Sequence, residues 1–309
     1  LTRSVPAYVM MAPFLILFLI FILGPLGYSF YISFFGERMG NQFFIGFTNY
    51  LSAFNDSNFW SSLGRVLYYG VVQVTAMIAL SLLLALILDS PIARFKTLFR
   101  LLYFLPYAVP GVVATIMWGF LYSPTMDSSL LNFLGGGSAH PLDPTSTGTL
   151  LYAIINIVLW EITGYNMTLY YAALTGISLD LYDAAKIDGC GEMRIALFIK
   201  LPLLRPMITM TLVLSIIGAL QLFNEPFFLS QLVPISLDYT PNSEIYNTAF
   251  TFGNIPYAAT LSMILGLISI IGSVSFILIT RRLSSDSRTG GLSKRRARAI
   301  VAQAKEVTQ

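Results

Sequence analysis

Six long apolar runs, each bounded by polar or charged residues, organise this sequence. Their approximate limits are 7–35, 66–88, 101–122, 150–174, 207–229 and 257–280, and all are rich in Leu, Ile, Val, Phe and Ala. A helix rises about 1.5 Å per residue, so about 20 apolar residues cross a roughly 30 Å hydrocarbon layer. A helix also satisfies its own backbone polar groups in lipid. The alternating segments of about ten residues that mark a membrane barrel do not occur. The pattern predicts an all-α, polytopic membrane protein with six transmembrane helices. No soluble domain longer than a loop and no internal repeat interrupt it, so residues 1–309 read as a single transmembrane domain. Pro13 and Pro25 predict a kink or break in the first span. That span is too long for the apolar core of a signal peptide and lacks its cleavage site.

Composition sharpens this picture. Of 309 residues, 56% are hydrophobic and 11% charged, against about 25% charged in ordinary soluble chains. Sixteen of the 18 Lys and Arg fall on one side of the six spans: Arg3, the loop 94–100, the loop 186–205 and the tail 281–309. Only Arg38 and Arg65 fall on the other side. The bias predicts that both termini are cytoplasmic. The net charge of +3 is then a topology signal, and the basic tail reads as an anchor to anionic lipid rather than a nucleic-acid arm.

Chemistry is excluded more than it is suggested. The lone Cys190 has no partner for an internal disulfide, and the lone His140 cannot build a histidine metal site. No phosphate-binding loop, nucleophile elbow or H-E-x-x-H pair occurs, so the chain reads as a non-enzyme whose energy comes from elsewhere. The loops at 126–148 and 230–256 carry no Lys or Arg and are rich in Gly, Ser and Pro. They predict irregular turns with one short helix each, serving as connectors or as a docking surface.

The cytoplasmic loop 175–206 is the exception to the avoidance of charge. Eight of the chain's 33 charged residues lie between Asp180 and Arg205. Asp180 and Asp183 suit the start of a short helix over "YDAAKID", and Gly189 predicts its stop. A second helix, "GEMRIALFIKL", is predicted to end at Pro202. From Met193 to Ile199 it is apolar except at Arg194, yet it is far too short to span. Such a helix is expected to be covered on two sides, by its own membrane domain and by a cytoplasmic partner.

The stretch "DAAKIDGCGEMRIALFIKLP" resembles the cytoplasmic coupling motif of ABC-importer permeases. That motif runs E-A-A, then D-G-A, then I-x-L-P. Asp183, Ala184 and Ala185 match the first block, Asp188 and Gly189 the second, and Ile199, Leu201 and Pro202 the third. Met193 and Leu197 lie on the apolar helix between blocks and join the implied ATPase-coupling set. The aromatic usual eight residues after the Asp is replaced by Ala196, with Phe198 nearby. "FIGFTNYLSAF", "FKTLFRLLYFLPYAVPGVVATIMWGFLY" and "QLFNEPFFL" are similar to sugar-uptake permeases of the maltose-transporter type. The resemblance implies a type I ABC importer permease fold in the cytoplasmic membrane of a prokaryote. It also implies a second homologous permease, two cytoplasmic ATPase subunits and an extracytoplasmic solute-binding protein. ATP and Mg would be bound by the ATPase subunits, leaving no cofactor on this chain.

Polar residues within spans default to functional candidates. Span four offers Trp160, Glu161, Tyr165 and Asn166, and span five offers Gln221, Asn224 and Glu225. Glu161 and Tyr165 share a helix face, as do Gln221 and Glu225. Aromatics beside amides and carboxylates suit a polyhydroxylated solute, and the absence of Lys or Arg deep in any span disfavours a strongly anionic one. The alternative for each residue is a hydrogen bond to a neighbouring helix. At the level of the whole chain, the alternatives are an autonomous channel or secondary transporter, or an ABC permease for another small polar solute.

Overall fold

A computed structural model describes residues 5–38, 40–122, 149–232, 235–236 and 238–278. The chain opens with α1 (Val5–Phe18), a π-helical turn (Leu19–Leu23) and α2 (Gly24–Ile32). A small antiparallel hairpin, β1 (Phe35–Arg38) and β2 (Asn41–Phe44), pairs Phe35 with Phe44 and Arg38 with Asn41. Then come α3 (Thr48–Phe54), the 33-residue α4 (Ser57–Asp89) and α5 (Lys96–Phe104). A 3₁₀ turn (Leu105–Ala108) leads into α6 (Gly111–Tyr122), and the 26-residue α7 spans Leu150–Thr175. The loop hairpin consists of α8 (Leu179–Ile187), α9 (Glu192–Ile195) and a π turn (Ala196–Lys200), which runs directly into α10 (Leu201–Leu220). The chain continues through α11 (Asn224–Leu229), α12 (Pro241–Tyr246) with a π turn after it (Asn247–Thr251), and α13 (Ile255–Leu278).

Five of these helices, Val9–Ile32, Ser57–Asp89, Leu150–Thr175, Glu192–Leu220 and Ile255–Leu278, are long and apolar enough to cross a membrane. The third predicted span is not straight. Lys96–Ala108 and Gly111–Tyr122 meet at 92° and together are long and apolar enough to count as a sixth, broken span. Pro106 and Pro110 flank the bend, removing two amide donors where a continuous helix would need them.

The fifth span differs more. The helix begun at Glu192 does not end at Pro202 but continues through Pro202 and Pro206 to Leu220. An α-helical proline clashes with the carbonyl four residues back. The wider π turn moves that carbonyl aside: Leu201 N–H donates to the Ala196 carbonyl, five residues back, directly before Pro202. The first span uses the same device, with Gly24 N–H donating to the Leu19 carbonyl directly before Pro25, while Pro13 is accommodated within α1. At the far end, the predicted span 207–229 is interrupted at 221–223, between α10 and α11. The loop 230–256 contains the expected short helix, α12. The loop at 126–148, with His140, and the tail 281–309 lie outside the described residues.

The core is built around α4 and α7. Val66, Tyr69, Val74 and Met77 of α4 pack with Leu150, Ile154 and Ile157 of α7 and with Ala219, Leu220, Leu222 and Leu229 from the region of the fifth span. A second cluster joins Ala85 and Leu88 to Met167, Tyr170, Leu174 and Leu204. A third joins Phe59 and Leu63 to Leu261, Ile264 and Leu265 of α13. Polar ties cross these contacts: Ser81 Oγ donates to the Thr163 carbonyl at 3.0 Å, and Tyr170 and Thr211 hydroxyls meet at 2.5 Å. By contrast, Val9–Ile32 leaves its apolar side chains exposed, with only Ile32 buried at its end.

The tightest backbone approach sets the position of the bend. A methyl group on Gly164 of α7 would lie 1.7 Å from the Tyr103 carbonyl oxygen and 2.4 Å from its carbonyl carbon. No rotamer can relieve a clash with backbone. Gly164→Ala is expected to cost at least about 1–3 kcal/mol by overpacking, read as a lowered Tm of the detergent-purified protein.

At the other end of α4, Asp56 caps the helix by accepting from Asn58 and Phe59 N–H, and it also accepts from the Tyr257 hydroxyl at 2.8 Å. Arg65 donates to the Tyr239 carbonyl at 2.6 Å and lies 4.8 Å from the centre of the Tyr239 ring, pinning the loop before α12. Burial, followed by the nearby Asp56 and Asp238 charges, pushes the Glu244 carboxyl up to about 7, against the Ser62 hydroxyl that favours its charged form. A carboxyl raised above its ordinary 4.5 binds more protons folded than unfolded, so its contribution to stability falls as pH rises from about 4.5 to 7 and is flat above. Glu244→Gln is expected to remove that slope from a profile of Tm against pH.

Candidate functional site

The break in the fifth span borders a half-open cavity of ≈ 410 Å³. Tyr69 and Gln73 of α4, Tyr107 of the 3₁₀ turn and Tyr165 and Asn166 of α7 line it. Thr211 and Ser215 of α10 and the segment Gln221–Glu225 complete the wall. Each position has a local cause. The 3₁₀ turn exists because of the proline-flanked bend, and it stacks Tyr107 on Tyr165 with ring centres 4.5 Å apart. The unwound segment is held by Asn242, whose amide donates to the Leu220 carbonyl at 3.2 Å and the Leu222 carbonyl at 3.5 Å. Without such partners these carbonyls would be unpaired in an apolar surround.

Of the seven residues singled out in spans four and five, Tyr165, Asn166, Gln221, Asn224 and Glu225 line this one cavity. Glu161 does not form part of its wall. Its carboxylate lies against Gly111 at the start of α6, where a methyl group would sit 3.2 Å from Oε1. No Lys, Arg or His is among the lining residues. Trp160 packs edge-on against Trp118, 5.9 Å between ring centres, instead of facing the cavity. Asn166 uses its amide on its own helix, donating to the Ile162 carbonyl at 3.1 Å.

The reading of spans four and five overlooked Tyr69, Gln73, Tyr107, Thr211 and Ser215. Gln73 is the polar residue whose neighbours in span two are otherwise apolar, and Tyr69 lies one turn before it on the same face. The same test applied to span two would have found them both. Gln73 is 2% exposed, and its Nε2 has no hydrogen-bond partner among the described residues.

The hairpin 179–200 forms a second candidate site. Gly189 adopts φ +79°, ending α8 as a left-handed cap. Cys190 N–H donates to the Ala185 carbonyl and Gly189 N–H to the Lys186 carbonyl, the two bonds of a Schellman motif. Within the motif-derived set, Asp183, Ala184, Asp188, Gly189, Met193 and Leu197 are exposed; Ile199, Leu201 and Pro202 are half-buried and Ala185 is buried. The second helix therefore has two apolar faces. Ile195 is packed inward, while Met193, Leu197 and Phe198 are exposed, together with Ile187 from α8.

The structure thus joins helices long and apolar enough to cross a membrane, a half-open cavity with polar side chains in its wall, and a hairpin with exposed apolar side chains. Residues 81–288 match the family described as the binding-protein-dependent transport system inner membrane component, and the chain belongs to that family. It is 34% identical over 281 residues to the lactose transport system permease protein LacF of Rhizobium radiobacter, covering 89% of this chain and 93% of that protein. It is 29% identical over 295 residues to the arabinooligosaccharides transport system permease protein AraP of Bacillus subtilis (strain 168), covering 94% and 92%. The fold matches a chain of a bacterial ABC transporter involved in the import of the acidic polysaccharide alginate. That match has a TM-score of 0.79 at 20% identity and covers 91% of this chain and 96% of the other. The chain is thus a multi-pass membrane permease with the six-span type I importer fold, counting the bent pair as one span.

Gln73 offers a test that separates site from scaffold. Replacing an unsatisfied buried amide by an apolar group of similar size is close to neutral for stability. Gln73→Leu is therefore expected to leave Tm unchanged or raised while lowering solute transport about tenfold, the worth of one lost hydrogen bond of roughly 1.4 kcal/mol. Lowered Tm with normal transport would make Gln73 a packing residue.

Proposed function

We propose that this chain is one of two non-identical permease subunits forming the path for a neutral sugar or oligosaccharide. Two cytoplasmic ATPase subunits, holding ATP and Mg, drive the cycle, and an extracytoplasmic binding protein supplies the solute. Both termini and the hairpin 179–200 face the cytoplasm, as the Lys and Arg bias requires.

The make-up of the cavity wall supports the solute class above all else. Stacked Tyr107 and Tyr165 offer a flat apolar face, Gln73, Gln221 and Asn224 offer amides, and Glu225 offers hydroxyl acceptors. A wall with a carboxylate and no lining cation offers an acidic saccharide no counter-charge. Relatives named for lactose and arabinooligosaccharides agree with a neutral solute. In proteoliposomes holding the full complex with its binding protein, neutral oligosaccharides are expected to be taken up and uronic-acid oligomers rejected. Equal uptake of both would overturn this solute class.

The exposed apolar side chains of the hairpin are the surface on which an ATPase subunit docks. Closure of the ATPase pair pushes the hairpin, and the hairpin swings the spans between outward- and inward-open states. Moving a 1:99 equilibrium to 99:1 takes about 5.5 kcal/mol, which a stiff element can transmit and a floppy loop cannot. The two Schellman bonds fix the turn, Gly189 takes the left-handed conformation they need, and no atom lies within 4 Å of the position its Cβ would take. A substitution there acts through backbone strain, roughly 1–2 kcal/mol, and not through a clash. Gly189→Val is expected to insert normally in the membrane yet lower the solute carried per ATP hydrolysed at least tenfold. Normal uptake would refute the lever.

A further inference from the structure

The chain avoids charge, yet it buries one ion pair between two elements. Lys200 Nζ lies 2.5 Å from Asp89 Oδ2, and the two side chains are only 7% and 14% exposed. Lys186–Glu192, the other ion pair among the described residues, is half exposed at 51% and 52%. Asp89 is the last residue of α4, and Lys200 is the last residue of the π turn that lets the hairpin helix continue past Pro202. The Lys200 ammonium also lies 5.1 Å from the centre of the Tyr182 ring in α8. Lys96, at the start of α5, donates to the Asp89 carbonyl at 3.4 Å. Four elements therefore converge on one pair of charges.

Burying two charges gains little stability, and an apolar pair of similar volume often does as well or better. What an ion pair supplies that grease does not is a fixed direction and distance. The surrounding side chains, Ala85, Leu88 and Leu204, already supply packing without it. From Asp89, α4 runs unbroken to Gln73 and Tyr69 in the cavity wall, about 24–30 Å away at 1.5 Å per residue.

We infer that Asp89 and Lys200 are a positioning pair, the joint through which displacement of the hairpin is passed to α4 and so to the cavity wall. The inference rests on the reading of the hairpin as the ATPase contact, and it adds the element that receives the push. Either side chain alone would slide over the apolar contacts around it; the ion pair makes hairpin and α4 move as one body.

The test uses the reconstituted complex of both permeases, the ATPase subunits and the binding protein. It compares wild type, Lys200→Met, Asp89→Leu and the double variant Asp89→Leu/Lys200→Met. Both single variants are expected to lower the solute carried per ATP hydrolysed at least tenfold. The double variant is expected to regain the Tm and assembly of wild type without regaining that ratio, because packing is restored and the directional contact is not. Recovery of the ratio together with Tm, or a wild-type ratio in either single variant, would overturn the joint.

Hydrogen exchange provides an arm that needs no ATPase. In the purified permease pair, amides of 192–201 are expected to exchange at least tenfold faster in the double variant than in wild type. Unchanged exchange there would also overturn the joint, whereas failure of the wild-type hairpin to crosslink to an ATPase subunit would count against the underlying reading alone.

Discussion

Hydrocarbon offers no hydrogen bonds, so every departure from a regular helix in this molecule needs a protein partner for the backbone it frees. Four of the departures have an identifiable cause or partner. Two π turns carry helices past Pro25 and Pro202 by shifting one amide to a carbonyl five residues back. The unwound Gln221–Phe223 segment is tied by the Asn242 amide. The bend at Leu105–Ala108 is seated where Gly164 lets the Tyr103 backbone approach α7. Three of these irregularities bear on the sites: the bend and the unwound segment wall the cavity, and the second π turn carries the hairpin into the membrane.

That arrangement makes α4 the member on which both ends of the molecule depend. Its first turn is capped by Asp56, which also holds Tyr257 of α13. Its middle carries Tyr69 and Gln73 into the cavity wall, and its last residue meets Lys200. A helix of this length is stiff because its backbone bonds run in series along one axis, so a small displacement at one end reappears at the other. The near-complete exposure of Val9–Ile32 fits the same picture: that helix contributes membrane-facing surface and little to the internal frame.

The electrostatics of the two regions differ. At the cavity, Glu225 stands without a lining cation. At the base of the hairpin, Asp89 and Lys200 neutralise each other, so nothing there invites a ligand. Saccharide relatives at 34% and 29% identity accord with the first arrangement. The alginate importer, at 20% identity, shares the fold and says nothing of the solute.

The sequence by itself determined what short-range physics controls. Apolar runs long enough to cross a membrane located the spans, because transfer into lipid is set residue by residue. Gly189 marked the end of α8, because only a residue without Cβ takes φ +79° freely. Tyr165, Asn166, Gln221, Asn224 and Glu225 stood out because polar groups in apolar runs are costly and therefore conspicuous. Only the tertiary structure decided what depends on neighbours distant in sequence. Pro202 reads as a helix end until the π turn before it is seen, and Leu101–Tyr122 reads as one span until two prolines and Gly164 set a 92° bend. Trp160 and Glu161 adjoin Tyr165 in the chain, yet packing against α6 keeps them out of the cavity wall. Asp89 and Lys200 are ordinary charges at helix ends until folding brings them from distant parts of the chain to 2.5 Å.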